Sequence, residues 1–190
     1  MSPLKQAVQC TCGAVKLSID SPSVLRLVCY CKDCRGYFNT LNANAKLAGK
    51  NPVAPLDTWG GVDWTQLYPN EIKVTEGADK LETRIIRKGS PMHRVHTTCC
   101  YTPMFSLGQG MGSALLNTHL IDDDEEKKPD VRFRVIGRQA LKGENMPRIS
   151  WSVPLSFPFV MMKRIHKDQA TPAPVETPKE LQVLENFKEG

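Results

Sequence analysis

The sequence predicts a mainly β chain, built of antiparallel hairpins with short helices and stapled by bound metal. Three observations predict it. Apolar residues alternate with polar ones in several short segments. Turn-forming clusters punctuate the middle of the chain at short intervals. All seven cysteines fall in three tight groups, Cys10/Cys12, Cys29/Cys31/Cys34 and Cys99/Cys100. Thiolates so spaced converge on soft cations, and Zn²⁺ takes four such ligands when closed or three when a position stays open. An odd count and a vicinal pair argue against disulfides.

Taken in order, Ala7 to Asp20 reads as a half-buried strand with Val15, Leu17 and Ile19 on one face, and Cys10 and Cys12 offered together just before it. Ser21-Pro22-Ser23 reads as a turn, and Val24 to Tyr30 as a strand that delivers Cys29. Cys31 to Cys34 has knuckle spacing, and Gly36 to Leu47 fits a short helix with Tyr37, Phe38 and Leu41 inward. Gly60-Gly61 turns between Trp59 and Trp64, beside an aromatic wall. Ile72–Val74, Leu81–Ile86 and Met92–Val95 read as strands of a hairpin-rich run that leads into Cys99-Cys100 and ends at Pro103. His93 and His96 are expected on its solvent side, with His96 the alternative fourth ligand. Gly108, Gly110 and Gly112 suit a loop near the metal and lack the lysine of a phosphate loop. Val131–Ile136 is a further strand. Residues 1–168 form one zinc-binding domain with an extension; 169–190 form a Pro-rich linker and a terminal helix over Pro178 to Lys188.

At 190 residues the chain suits one core. Hydrophobic content of 41% and charged content of 24% are ordinary, and the net charge of +5 is spread without a basic, aromatic-laced stripe. No nucleic-acid partner is therefore expected. The acidic run Asp122 to Glu126 suits a solvated loop. No stretch is apolar enough to span a bilayer, and Met1 to Gln6 lacks a signal-peptide pattern. A reducing, cytoplasmic location is expected, where clustered cysteines serve metals.

Cys-Thr-Cys-Gly-Ala-Val (Cys10 to Val15), Cys-Tyr-Cys-Lys-Asp-Cys-Arg (Cys29 to Arg35) and Cys-Tyr-Thr-Pro (Cys100 to Pro103) resemble the three blocks of the glutathione-dependent formaldehyde-activating enzyme family, which includes centromere protein V. The resemblance spans about residues 7 to 107. It implies a β-tent fold, a structural zinc at Cys10, Cys12 and Cys100, and an open zinc at Cys29, Cys31 and Cys34 as the catalytic centre. It also implies glutathione, or a similar thiol adduct of an aldehyde, as ligand in a carbon–sulfur lyase reaction. Arg35 could bind the thiol's carboxylate, and a polar neighbour such as Tyr30 or a water would handle the proton. Three positions depart from the pattern: Thr97 stands where a cysteine is usual, Tyr101 where glycine is, and Tyr30 where histidine often is. Cys99 is the substitute ligand, at the structural or the open site. The alternative function is a zinc-stabilised thiol carrier or an interaction module without turnover, docking through Trp59 and Trp64 or the terminal helix.

Overall fold

In the computed structural model of the chain, strand β1 (Ser2–Gln9) turns back through residues 10–15 into the fourteen-residue β2 (Lys16–Cys29). Helix α1 (Lys32–Leu47) follows, then β3 (Val62–Leu67), β4 (Ile72–Glu76), β5 (Leu81–Arg84), β6 (Met92–Thr97), β7 (Pro103–Gly108), β8 (Ser113–Asn117) and β9 (Val131–Val135). The structure describes residues 2–51, 55–109, 112–122, 124–154, 174–175, 178 and 180–190. The strands form one open sheet in the order β1-β2-β3-β8-β7-β6-β5, with β4 and β9 also paired to β2. Every pairing is antiparallel except β2 with β9. The mainly β expectation holds, with α1 as the one α-helix among the described residues.

β2 serves two neighbourhoods. Its first half pairs β1 and β4; its second half pairs β3 and β9 and delivers Cys29 at its end. Val15, Leu17 and Ile19 are buried as their alternation predicts. Ser21-Pro22-Ser23 is not a turn, because β2 runs straight through it. Leu4 pairs with Ser21 and Ser2 with Val24, so Pro22 and Ser23 oppose Pro3 alone. A bulge there absorbs the two residues that have no N–H to give a ladder. Cys10 and Cys12 correspondingly sit in the β1–β2 turn and not in a strand. Cys10 N–H donates to the Val15 carbonyl (3.0 Å), Gly13 N–H to the Cys10 carbonyl (2.8 Å), and Gly13 takes φ +74°.

α1 starts four residues earlier than its apolar pattern suggests, because Cys31 caps it and its sulfur accepts the Cys34 N–H at 3.3 Å. Asp33 in the first turn and Lys46 in the last favour the helix dipole. Cys34, Tyr37, Phe38, Leu41 and Ala45 bury one face. That face covers one side of the sheet, and a second core lies on the other. Leu27, Cys29, Cys34, Tyr37, Phe38, Val62, Trp64 and Val135 form the helix-side core. Cys10, Val15, Leu17, Ile72, Val95, Cys100, Phe105 and Leu116 form the opposite one.

β6 lies between the two, which corrects the solvent-facing expectation for His93 and His96: they are 4% and 2% exposed. Sequence alternation marks two faces of β6, and tertiary packing covers both. Pro103 does not end the hairpin run. It opens β7, where its missing N–H is tolerated. Gly108 and Gly112 lie at the β7–β8 turn, at the other end of β7 from Cys100, so the glycine loop is not beside that cysteine; Gly110 lies outside the described residues. The terminal helix expected over Pro178 to Lys188 is absent from residues 180–190. Val183 instead bridges Ile85, and Leu184 N–H donates to the Ile85 carbonyl at 2.7 Å. Most of the expected linker lies outside the described residues.

Gly77, between β4 and β5, fixes the first cysteine turn from outside. Its φ is +72°, and a Cβ there would stand 2.1 Å from the Ala14 carbonyl oxygen. Gly77→Ala should therefore cost about 2–3 kcal/mol from left-handed strain and collision. A lower urea midpoint with unchanged slope is the expected reading.

Candidate metal centres

The seven sulfurs sort into a four and a three. Sγ atoms of Cys10, Cys12, Cys99 and Cys100 all lie within 4.8 Å of one another, and so do those of Cys29, Cys31 and Cys34. Each group could hold a metal ion.

The four-sulfur group joins two turns far apart in sequence. Sulfur–sulfur distances are 3.6 Å for Cys10–Cys12, 3.3 Å for Cys12–Cys99 and 3.8 Å for Cys99–Cys100. Ligands about 2.3 Å from a tetrahedral zinc stand about 3.8 Å apart, so the set fits such an ion. Vicinal Cys99 and Cys100 converge because the β6–β7 turn is sharp. Tyr101 N–H donates to the Thr97 carbonyl at 3.0 Å, and Tyr101 takes φ +59°, where glycine is easiest. Cys99 thus joins Cys10, Cys12 and Cys100, not the three-sulfur group. The Thr97 hydroxyl meets the Cys100 sulfur at 3.2 Å and accepts the Thr102 N–H at 3.0 Å. It shapes the turn where a ligand might have been looked for. Burial works against a Cys100 thiolate, yet donors from Thr102, Thr97 and nearby backbone N–H groups bring that thiol down to about 6. Burial, with Cys12, pushes Cys99 up to about 12.

The three-sulfur group sits where β2 hands over to α1. Cys29 and Cys34 are buried and Cys31 is half-buried. Hydrogen bonds from Cys29 and Cys31, with the nearby guanidinium of Arg94, hold the Cys34 thiol well below its ordinary range against burial. Its sulfur neighbours and burial raise Cys29. Cys31 is pulled down by Cys29 yet ends at about 12 because Cys34 and burial outweigh it. Cys34 is thus the sulfur of the three that most readily gives up its proton, and a bound cation would displace the protons of the set.

Arg94 was not legible as a site residue. It is 3% exposed, its Nη2 lies 3.7 Å from the Cys34 sulfur, and its Nη1 donates to Ser106 Oγ at 3.2 Å. Its guanidinium carbon lies 5.4 Å from the Tyr37 ring centroid and 5.9 Å from that of Trp64. The available signal was an arginine between two histidines in a strand of alternating faces.

Other expected site residues have inward duties. Tyr30 is fully buried and its hydroxyl donates to Asp57 Oδ2 at 2.7 Å. Burial and Asp57 both raise that phenol. Arg35, 4% exposed, donates to the carbonyls of Gln139 (2.9 Å) and Gly190 (2.8 Å). Asp33 receives both Arg87 nitrogens, at 2.8 and 2.5 Å. His96 faces Glu82 and belongs to neither sulfur group. Trp64 is fully buried against Phe38, which removes it from any docking surface; half-buried Trp59 donates its Nε1–H to the Glu144 carbonyl. Within the acidic run, Glu125 reaches inward to Arg26 at 2.5 Å.

A family model described as a family of unknown function (DUF6151) matches residues 2–124, and the chain belongs to that family. No curated protein matches. Among solved structures, the crystal structure of a Rhodobacter sphaeroides protein is 13% identical with a TM-score of 0.44, covering 66% of this chain and 97% of that one. No helix among the described residues is long and apolar enough to cross a membrane.

Proposed function

We propose that this member of a family of unknown function is a two-centre zinc protein, and that its three-sulfur centre acts on a thiol adduct of an aldehyde. The observation that carries it is the sorting of the seven sulfurs into a complete set of four and a set of three. The resemblance of the three cysteine blocks to glutathione-dependent formaldehyde-activating enzymes supports the thiol chemistry, and the mainly β sheet is compatible with it. A zinc ion held by Cys29, Cys31 and Cys34 would supply a fourth position at which a thiol such as glutathione is kept as thiolate.

The reaction is then carbon–sulfur bond formation or its reverse. The thiol sulfur adds to the aldehyde carbon, the carbonyl π electrons move to oxygen, and the thiol proton ends on that oxygen. Cleavage returns thiol and aldehyde. The chain's own residues set the electrostatics. Arg94 offsets one of the three negative sulfurs from within the core, and Cys31, the half-buried member, marks the side open to a small molecule. Tyr30 is no proton carrier for this step, because its hydroxyl is committed to Asp57. Solvent fills that role.

Cys31→Ser should abolish saturable glutathione binding while leaving the fold and the four-sulfur metal in place; calorimetric titration reads the first, circular dichroism and metal analysis the second. Equal glutathione binding in both proteins would remove the open centre. The inward engagement of Tyr30 and Arg35 favours a second reading, a zinc-stabilised thiol carrier without turnover. Thiol binding without any exchange of labelled formaldehyde would select it.

A further inference from the structure

The four-sulfur set has an inner and an outer half. Cys10 and Cys100 are 1% and 3% exposed, whereas Cys12 is exposed and Cys99 half-buried. The chain also hydrogen-bonds the inner sulfurs. Cys10 accepts the Val15 N–H at 3.3 Å, and Cys100 lies 3.2 and 3.0 Å from the Thr97 and Thr102 hydroxyls. Burial and hydrogen bonding both blunt a sulfur toward reagents in solvent. The set therefore presents Cys12 to water first and Cys99 next.

Those two sulfurs stand 3.3 Å apart, closer than the 3.6 Å of Cys10–Cys12 or the 3.8 Å of Cys99–Cys100. A disulfide needs about 2.0 Å, so a shift of about 1 Å joins them. Bridges within one turn are disfavoured: Cys10 and Cys12 are two residues apart, Cys99 and Cys100 are neighbours, and either bridge would close a small strained ring. Every other pairing across the two turns draws on a buried sulfur.

We infer that Cys12 and Cys99 form a reversible oxidation site, addressed by hydrogen peroxide and closing to a disulfide. The Cys12 sulfur attacks one peroxide oxygen, the O–O bond breaks, and the departing oxygen leaves as water after taking up a proton. Cys12 is then a sulfenic acid. The Cys99 sulfur attacks it, the S–O bond breaks, and a second water leaves. The two sulfurs give up two electrons in all and peroxide takes them; the protons come from the thiols, or from solvent where the sulfurs are already thiolates. The bridge joins the same two turns that a shared ion would join, and a centre left with Cys10 and Cys100 alone gives up its ion. A dithiol reverses the change. Cys29, Cys31 and Cys34 take no part, so the site stands whether or not the three-sulfur centre turns over an adduct.

The metal-loaded full chain is treated with one equivalent of hydrogen peroxide, alkylated, and mapped by peptide mass spectrometry without reduction, while a chromophoric chelator counts released zinc. Cross-linked peptides carrying Cys12 and Cys99 are the expected first product, forming about tenfold faster than any change at Cys29, Cys31 or Cys34. Their appearance should track the release of one zinc per chain, and dithiothreitol with added zinc should restore the starting form. Before peroxide, all seven cysteines should alkylate as thiols once the chain is unfolded. A chain bare of zinc at that stage counts against the metal reading, while the peptide map still tests the pairing. Cys99→Ser should stop at a Cys12 sulfenic acid that dimedone captures; the map of the parent decides the matter even where this variant folds poorly. A first bridge between other cysteines, Cys12 carried on to sulfinic acid with Cys99 unpaired, or both still free once the three-sulfur set is oxidised, would overturn the assignment.

Discussion

Replacing Cys100 with serine is expected to unfold the protein at ambient temperature. Cys100 is 3% exposed, and its sulfur belongs to the set that brings the β1–β2 turn and the β6–β7 turn together, two segments about ninety residues apart. No strand pairs β1 with β6 or β7, so besides the sulfurs the two turns are joined by apolar packing and by Thr11, whose N–H donates to Thr102 Oγ1 at 3.2 Å and whose hydroxyl meets it at 2.9 Å. Structural zinc sites hold about 10–16 kcal/mol of apparent binding free energy, as much as the whole stability of an ordinary domain. Serine keeps the volume and removes the soft ligand. Thermal melts by circular dichroism should lose their cooperative transition, and added zinc should not restore it. Cys31→Ser, by contrast, should still melt cooperatively. A Cys100→Ser protein that melts within a few degrees of the parent would show that the four sulfurs hold nothing essential.

The second large effect is expected at Arg94. It is a buried cation, 3% exposed, held by the Cys34 sulfur, Ser106 Oγ and the faces of Tyr37 and Trp64. Arg94→Met fills similar space but leaves the buried sulfur charge without its partner. Breaking such a pair costs about 3–5 kcal/mol. The three-sulfur centre should also bind its ion more weakly, since without Arg94 the Cys34 thiol is harder to deprotonate and protons compete better with the ion. The expected reading is one bound metal per chain against two expected of the parent, together with a lower denaturant midpoint. In a Cys34→Ala background the cost of Arg94→Met should shrink, because the partner is already gone. Equal costs in both backgrounds would mean that Arg94 is only packing.

Arg94 also shows where the sequence stops being informative. Alternation over Met92 to Val95 correctly announces a strand, but alternation cannot say whether the second face meets water or another layer. Here α1 covers the face that carries Arg94 and His96, whose partners Cys34 and Glu82 come from distant segments, while His93 lies on the other face with the buried Val95. The cysteines were legible because ligand spacing is local: Cys29, Cys31 and Cys34 lie within six residues. The role of Cys99 was not, because it depends on the left-handed Tyr101 that lets neighbouring residues aim at one point. β3, β7 and β8 carry short, nearly continuous buried runs with little alternation, the signature of strands covered on both faces. Pro22 and Pro103 misled for one reason. Each reads locally as a break, and each is accommodated by a place the ladder can spare, a bulge and a strand's first residue.

The central claim is that these seven sulfurs surround two ions, one of them with a vacant position. Native mass spectrometry of protein purified without chelator tests it most directly. A parent chain carrying two zinc ions is expected, reduced to one by Cys31→Ser, with glutathione retained only on the two-zinc species. A bare chain, or one whose cysteines have paired as disulfides, would contradict it.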